Sequence, residues 1–205
     1  MKPPAPFPVA LRALGLLWLF CALAVGKLQL LQCLPALAIP GIVLALTGGL
    51  LLAYQYASSV RAWLDALDLR TLGLLHVIRF FGFYFLYLEV RGFLPPDFYA
   101  AGIGEILVAF LALVVGLAPL PSSQRRRAVT IWNVLGLVGI LVVMFNATRL
   151  GLVQPWSLRP FAALPLSLLP TLLMPLLLAT HVIIFLRLLR EADSQGSPGR
   201  GSGSG

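Results

Sequence analysis

"GLLHVIRFFGFYFLYLEVRGFLPPDFYAAGIGE", Gly73–Glu105, is the stretch on which the reading of this chain turns. It holds most of one long apolar run, a short polar connection and the start of a second run. It also carries His76, Arg79, Glu89 and Glu105. A helix that only has to sit in lipid has no use for an arginine two turns in. Ionisable side chains at such depth face a bundle interior and pair with something.

The whole chain shares this apolar character. Of 205 residues 60% are hydrophobic and 11% charged, against roughly 45–50% and about 25% in soluble globular chains. A hydrocarbon layer of about 30 Å takes about 20 apolar residues per helix. Six segments qualify, at about 8–26, 38–57, 71–91, 101–119, 128–148 and 164–187. The expectation is an all-α integral membrane bundle of six transmembrane helices forming one domain over residues 1–190. The first run also fits a signal peptide, with Lys2 and Arg12 before it and a small-residue site at Ala22–Ala24; cleavage there would leave five spans. Residues 191–205 are polar and Gly/Ser-rich, which predicts a flexible tail, and the closing "GSGSG" reads as an appended linker.

The net charge is +8, and its distribution sets orientation. With the N-terminus cytoplasmic, nine basic residues lie inside: Lys2, Arg12, Arg61, Arg70, Arg125, Arg126, Arg127, Arg187 and Arg190. Four lie outside: Lys27, Arg91, Arg149 and Arg159. The positive-inside rule then puts both termini in the cytoplasm. Basic residues scattered over loops, with no soluble domain to present them, argue against nucleic acid as a partner. The two cysteines, Cys21 and Cys33, form no CxxC or Cys/His cluster, so no metal site is expected.

Depth sorts the polar residues into two groups. At about 1.5 Å of rise per residue, His76 falls roughly 7–8 Å to the cytoplasmic side of its span's middle and Arg79 about 3 Å. Asn133 falls about 7–8 Å and His181 about 9 Å to the same side. His76, Arg79, Asn133 and His181 therefore make one inner layer from three helices, a candidate ligand or proton site. Glu89 and Glu105 make an outer acidic group, with Glu105 about 7–8 Å outward of its span's middle. An Arg79–Glu105 ion pair forms only if the long arginine reaches outward, whereas helical side chains lean toward their own N-terminus, which aims Arg79 at the inner layer instead. The last span holds Pro165, Pro170 and Pro175. The two interior ones, Pro170 and Pro175, each free a carbonyl that must find a partner inside the protein.

The pattern R-x-x-G, G-x-L-P-x-x-F and A-G-x-G-[DE], followed by W-N-x-L-G at Trp132–Gly136 and the proline-rich run ending at His181, resembles an uncharacterised family of bacterial multi-pass membrane proteins. The resemblance covers most of residues 70–190 and carries over Arg79, Gly82, Gly92, Glu105, Trp132, Asn133 and His181 as matching positions. Where that pattern often has an acidic residue after W-N-x-L-G, this chain has Gly139 and Ile140. The resemblance implies a bundle with polar positions in the bacterial cytoplasmic membrane, and no activity.

Three readings follow. The leading one is a membrane scaffold or subunit whose polar residues tie helices together, with the lipid bilayer and a homo-oligomer or membrane partner protein as its surroundings. The second is a transporter-like site in which Arg79 holds an anionic group and a histidine exchanges protons. The third is a haem b electron-transfer protein with His76 and His181 as axial ligands. An enzyme ranks below these, since no HExxH, GxSxG or phosphate-binding glycine loop is present.

Overall fold

Residues 9–35 and 37–196 are described by the computed structural model. Lys2 of the charge count and residues 197–205 of the tail lie outside them. The apolar runs become helices because lipid leaves the backbone no other way to satisfy its polar groups. These are α1 (Val9–Lys27), α2 (Ala38–Tyr56), α3 (Ser58–Ala66), α4 (Leu69–Leu74), α5 (Gly82–Val90), α6 (Asp97–Leu117), α7 (Ser122–Val153) and α8 (Met174–Gly196). Six stretches are long and apolar enough to cross a membrane: Val9–Lys27, Ala38–Tyr56, Leu69–Val90, Asp97–Leu117, Ser123–Val153 and Leu169–Ala192.

Two of these are not uniform α-helix. The third runs through α4, a 3₁₀ stretch at Leu75–Phe81 and then α5. Asp68 caps its start by accepting from the Arg70 N–H at 3.2 Å. The sixth opens with a π turn at Leu169–Leu173 before α8. The prolines account for that opening. Pro175 has no N–H to give Thr171, four residues back. The Thr171 carbonyl instead accepts from Trp18 Nε1 of α1 at 2.9 Å. The Leu166 carbonyl, four residues before Pro170, accepts the Leu169 N–H at 3.0 Å.

Boundaries moved where the sequence mixed prolines with apolar residues. α6 starts at Asp97 rather than 101, because Pro96 sits just before the first turn, where a missing N–H costs nothing. The last span starts at Leu169 rather than 164, since Pro155–Ala162 is a 3₁₀ segment ahead of it. At its other end α8 continues through Glu191–Gly196, the beginning of the stretch expected to be flexible.

α6 packs along the whole third span and against α7, while α8 packs against α2 and α7. One end of the bundle is tied by Arg149 of α7 to Asp97 at the start of α6, 3.1 Å. The opposite end is tied by the Tyr54 hydroxyl donating to Asp65 at 2.7 Å and by Arg190 Nη1 donating to that hydroxyl at 3.1 Å. Arg187 adds bonds to the Leu64 and Leu67 carbonyls at 3.1 and 2.7 Å.

Two apolar clusters fill these ends. Phe85, Phe98, Ile140, Leu158 and Met174 belong to one, and Leu72, Val108, Trp132, Ile184 and Leu188 to the other. On the third span, α6, α7 and α8 alike, a polar residue lies between the two clusters, and these residues build the site.

Candidate functional site

The site begins with two glycines. Gly82 at the start of α5 meets Gly102 of α6 so closely that a Cβ on Gly82 would lie 2.4 Å from the Gly102 carbonyl oxygen. The helices run antiparallel. Three residues back from Gly82 is Arg79, and three residues on from Gly102 is Glu105, so the glycine crossing sets the two charged residues opposite each other. Arg79 Nε donates to Glu105 Oε2 at 2.6 Å and Nη2 donates to Oε1 at 2.9 Å. This fork-on-carboxylate geometry is the strong form of a charged hydrogen bond. Both side chains are buried, at 0% and 1% exposure.

Sequence reasoning had placed Glu105 in an outer group, away from Arg79. The structure overturns that placement for two reasons. The earlier start of α6 moves Glu105 close to the middle of its span. Arg79 also lies in a 3₁₀ stretch, where rise is about 2.0 Å per residue and residues three apart eclipse, so α-helical depth and direction rules do not hold. Glu89 does not join Glu105. It is half-buried near the end of α5, and its carboxylate makes no hydrogen bond or ion pair among the described residues.

The remaining nitrogen of the guanidinium turns to α7 and α8. Arg79 Nη1 donates to the Gly136 carbonyl at 3.1 Å and contacts His181 Nε2 at 3.3 Å. Arginine only donates, so His181 Nε2 is the acceptor and its proton sits on Nδ1. His181 Nδ1 then donates to Asn133 Oδ1 at 2.7 Å, and Asn133 Nδ2 donates back to the His181 carbonyl at 3.0 Å. The donor and acceptor roles close without conflict. Gly136 is needed twice, for its carbonyl and for its lack of a side chain: a Cβ there would lie 2.5 Å from His181 Cε1.

His76 stands beside this circuit rather than in it. Its Nε2 lies 3.0 Å from Thr180 Oγ1. That hydroxyl has the Leu176 and Leu177 carbonyls at 2.9 Å to donate to, so it accepts from His76. His76 Nδ1 has no partner among the described residues. The ring packs against His181 at 4.2 Å and edge-on to Trp132 at 5.0 Å. Trp132 is fixed in turn by donating to the Val108 carbonyl at 3.1 Å. Thr180 was missed in the sequence although it adjoins His181, because one threonine in an apolar helix gives no distinguishing signal.

The inner layer thus contains His76, Arg79, Asn133 and His181, all fully buried, and also Glu105. The arrangement does not fit the two histidines as a pair of haem ligands. Axial ligands must lie on opposite faces of a porphyrin. Here the ring centroids are 4.2 Å apart with no gap for a macrocycle, and both nitrogens of His181 are engaged.

Residues 36–189 match the family model described as a domain of unknown function, DUF8737. The chain belongs to the DUF8737 family. No curated protein and no solved structure matches it. In this DUF8737 protein the matched residues hold the second to fifth candidate spans, all but the last three residues of the sixth, and every member of the polar cluster, while α1 lies before them. It is a multi-pass membrane protein with a buried His/Arg cluster.

Proposed function

We propose that this DUF8737 protein is a membrane scaffold or subunit, in which the Arg79–Glu105–His181–Asn133 circuit locks four spans into a fixed arrangement. The observation that carries the reading is closure. Arg79 and Glu105 cancel in charge, and Arg79, His181 and Asn133 direct their hydrogen bonds at one another, at Glu105 or at backbone carbonyls. A site poised for an anion would leave the guanidinium without a carboxylate on it, whereas Glu105 takes both Nε and Nη2 here. In this reading the basic end carrying Arg61, Arg70, Arg125–Arg127, Arg187 and Arg190 faces the cytoplasm of a bacterial cell, both termini lie there, and the lipid-facing surfaces are available to a second copy or another membrane protein.

The test replaces the circuit's charges by apolar groups. Buried ion pairs exchanged for well-packed hydrophobic residues are often neutral in stability, whereas loss of one partner is strongly destabilising. Arg79→Leu/Glu105→Leu should therefore restore the growth phenotype of cells whose own gene is deleted. Loss of that phenotype, with the double variant folded and present in the membrane at normal levels, would show that the charges do chemistry and would overturn the scaffold reading.

A further inference from the structure

A cleft of about 240 Å³ opens between α6 and α7. Asp97 lies at its mouth, and Arg79, Glu105 and Gly139 at its floor. Along α6 it spans the rise from Asp97 to Glu105, about 12 Å. Its walls are formed largely by small residues, including Ala101 and Gly104. A cavity needs at least ~10–15 Å³ of such space to hold a water, whose share of liquid volume is ~30 Å³, so this one has room for several waters or a small molecule.

Two features indicate what occupies it. The first is Asn146, an exposed residue that lines the cleft toward the Asp97 end and whose carboxamide has no hydrogen-bond partner among the described residues. A carboxamide facing hydrocarbon is costly, and intramembrane polar groups lie toward water-filled cavities. The second is charge balance. The floor is the Arg79–Glu105 pair and the mouth carries the Arg149–Asp97 pair, so each cation is matched by an anion. Of the five guanidinium N–H groups of Arg79, the second on Nη2 has no protein acceptor; Nη2 sits 3.6 Å from where a Gly139 Cβ would be, at the cleft floor.

We infer that this cleft is a hydrated vestibule that admits a small uncharged polar solute, one bearing an amide or hydroxyl, down to the Arg79–Glu105 pair. A net anion entering would meet Glu105 and Asp97, and a net cation would meet Arg79 and Arg149. An uncharged group with both a donor and an acceptor is complementary to Asn146 and to the open N–H. This goes beyond the scaffold reading and does not rest on it, since the circuit's inner bonds to His181 and Gly136 lie away from the cleft.

The experiment is thiol labelling of the full chain in membrane vesicles, with Cys21 and Cys33 replaced by serine. Gly104→Cys adds a side chain at the cleft where a Cβ meets nothing within 4 Å. Ile103→Cys, exposed and at the same depth but outside the cleft, is the lipid-facing control. A water-borne methanethiosulfonate should modify Gly104→Cys at least tenfold faster than Ile103→Cys. Positively and negatively charged reagents, each normalised to free cysteine, should react within threefold of each other. Acetamide should slow the modification, whereas sodium formate should not. Equal inertness of the two cysteines would mean that lipid fills the cleft and would overturn the proposal. A tenfold preference for the negative reagent, or protection by formate alone, would make it an anion site and overturn the class of solute. Neither outcome bears on complementation by the Arg79→Leu/Glu105→Leu variant, so the two proposals fail separately.

Discussion

At the scale of single residues, the position most constrained by its neighbours is Gly136. Its added Cβ would meet the His181 ring at 2.5 Å, and that ring is held by Arg79 and Asn133. Overpacking of this kind costs about 1–3 kcal/mol, so Gly136→Ala should lower the thermal midpoint in detergent clearly. Gly104→Ala, with nothing within 4 Å, should leave it unchanged within about 0.5 kcal/mol. Equal midpoints for the two variants would mean that the His181 ring is not where it is described. The four inner-layer residues were visible in the sequence because polar groups are conspicuous in apolar spans. The Arg79–Glu105 pair was conceivable there but disfavoured, because a four-residue shift in the start of α6 and a 3₁₀ stretch without any proline to announce it changed both depth and direction.

At the scale of elements, the glycine crossing and the tryptophan tie set the packing. Gly82→Ala would drive a Cβ against the Gly102 backbone oxygen, which has no rotamer to escape by. It should separate α5 from α6, loosen the Arg79–Glu105 register and destabilise more than Gly136→Ala, where a side chain can yield. Trp18→Phe leaves the Thr171 carbonyl, freed by Pro175, without its donor. The expected cost is about 1 kcal/mol. In a Pro175→Ala background the helix can supply its own N–H, so the same substitution should cost less; an unchanged cost would show that Trp18 acts by packing alone. The spans were legible as runs of apolar residues. Their ends were not, since prolines that stop one helix open another, and only tertiary contacts decide which.

At the scale of the whole molecule, the alternation of six spans groups α3 and the ends of α7 and α8, which carry Asp65, Arg126 and Arg190, on one side and Asp97 with Arg149 on the other. In the orientation proposed from the basic excess, the first side is cytoplasmic. An impermeant thiol reagent applied to intact cells should therefore label Phe93→Cys and spare Gln124→Cys. The reverse pattern would invert the molecule and with it the direction in which the α6–α7 cleft opens. Fold class followed from composition and the six apolar runs, because 11% charged residues lies far below the roughly 25% of soluble chains. The way the bundle closes did not follow, because it depends on a crossing of two glycines that the sequence presents as ordinary small residues.

The central claim is that Arg79 and Glu105 act as one unit holding spans together, and a double-mutant cycle on thermal unfolding in detergent tests it most directly. Arg79→Leu and Glu105→Leu each leave a buried charge without its partner, at a cost of roughly 3–5 kcal/mol. The double variant should be more stable than either single one, which takes a coupling larger than either single loss and so above the ~0.5–3 kcal/mol usual for contacting residues. Additive losses, with the double variant the least stable of all, would contradict the account.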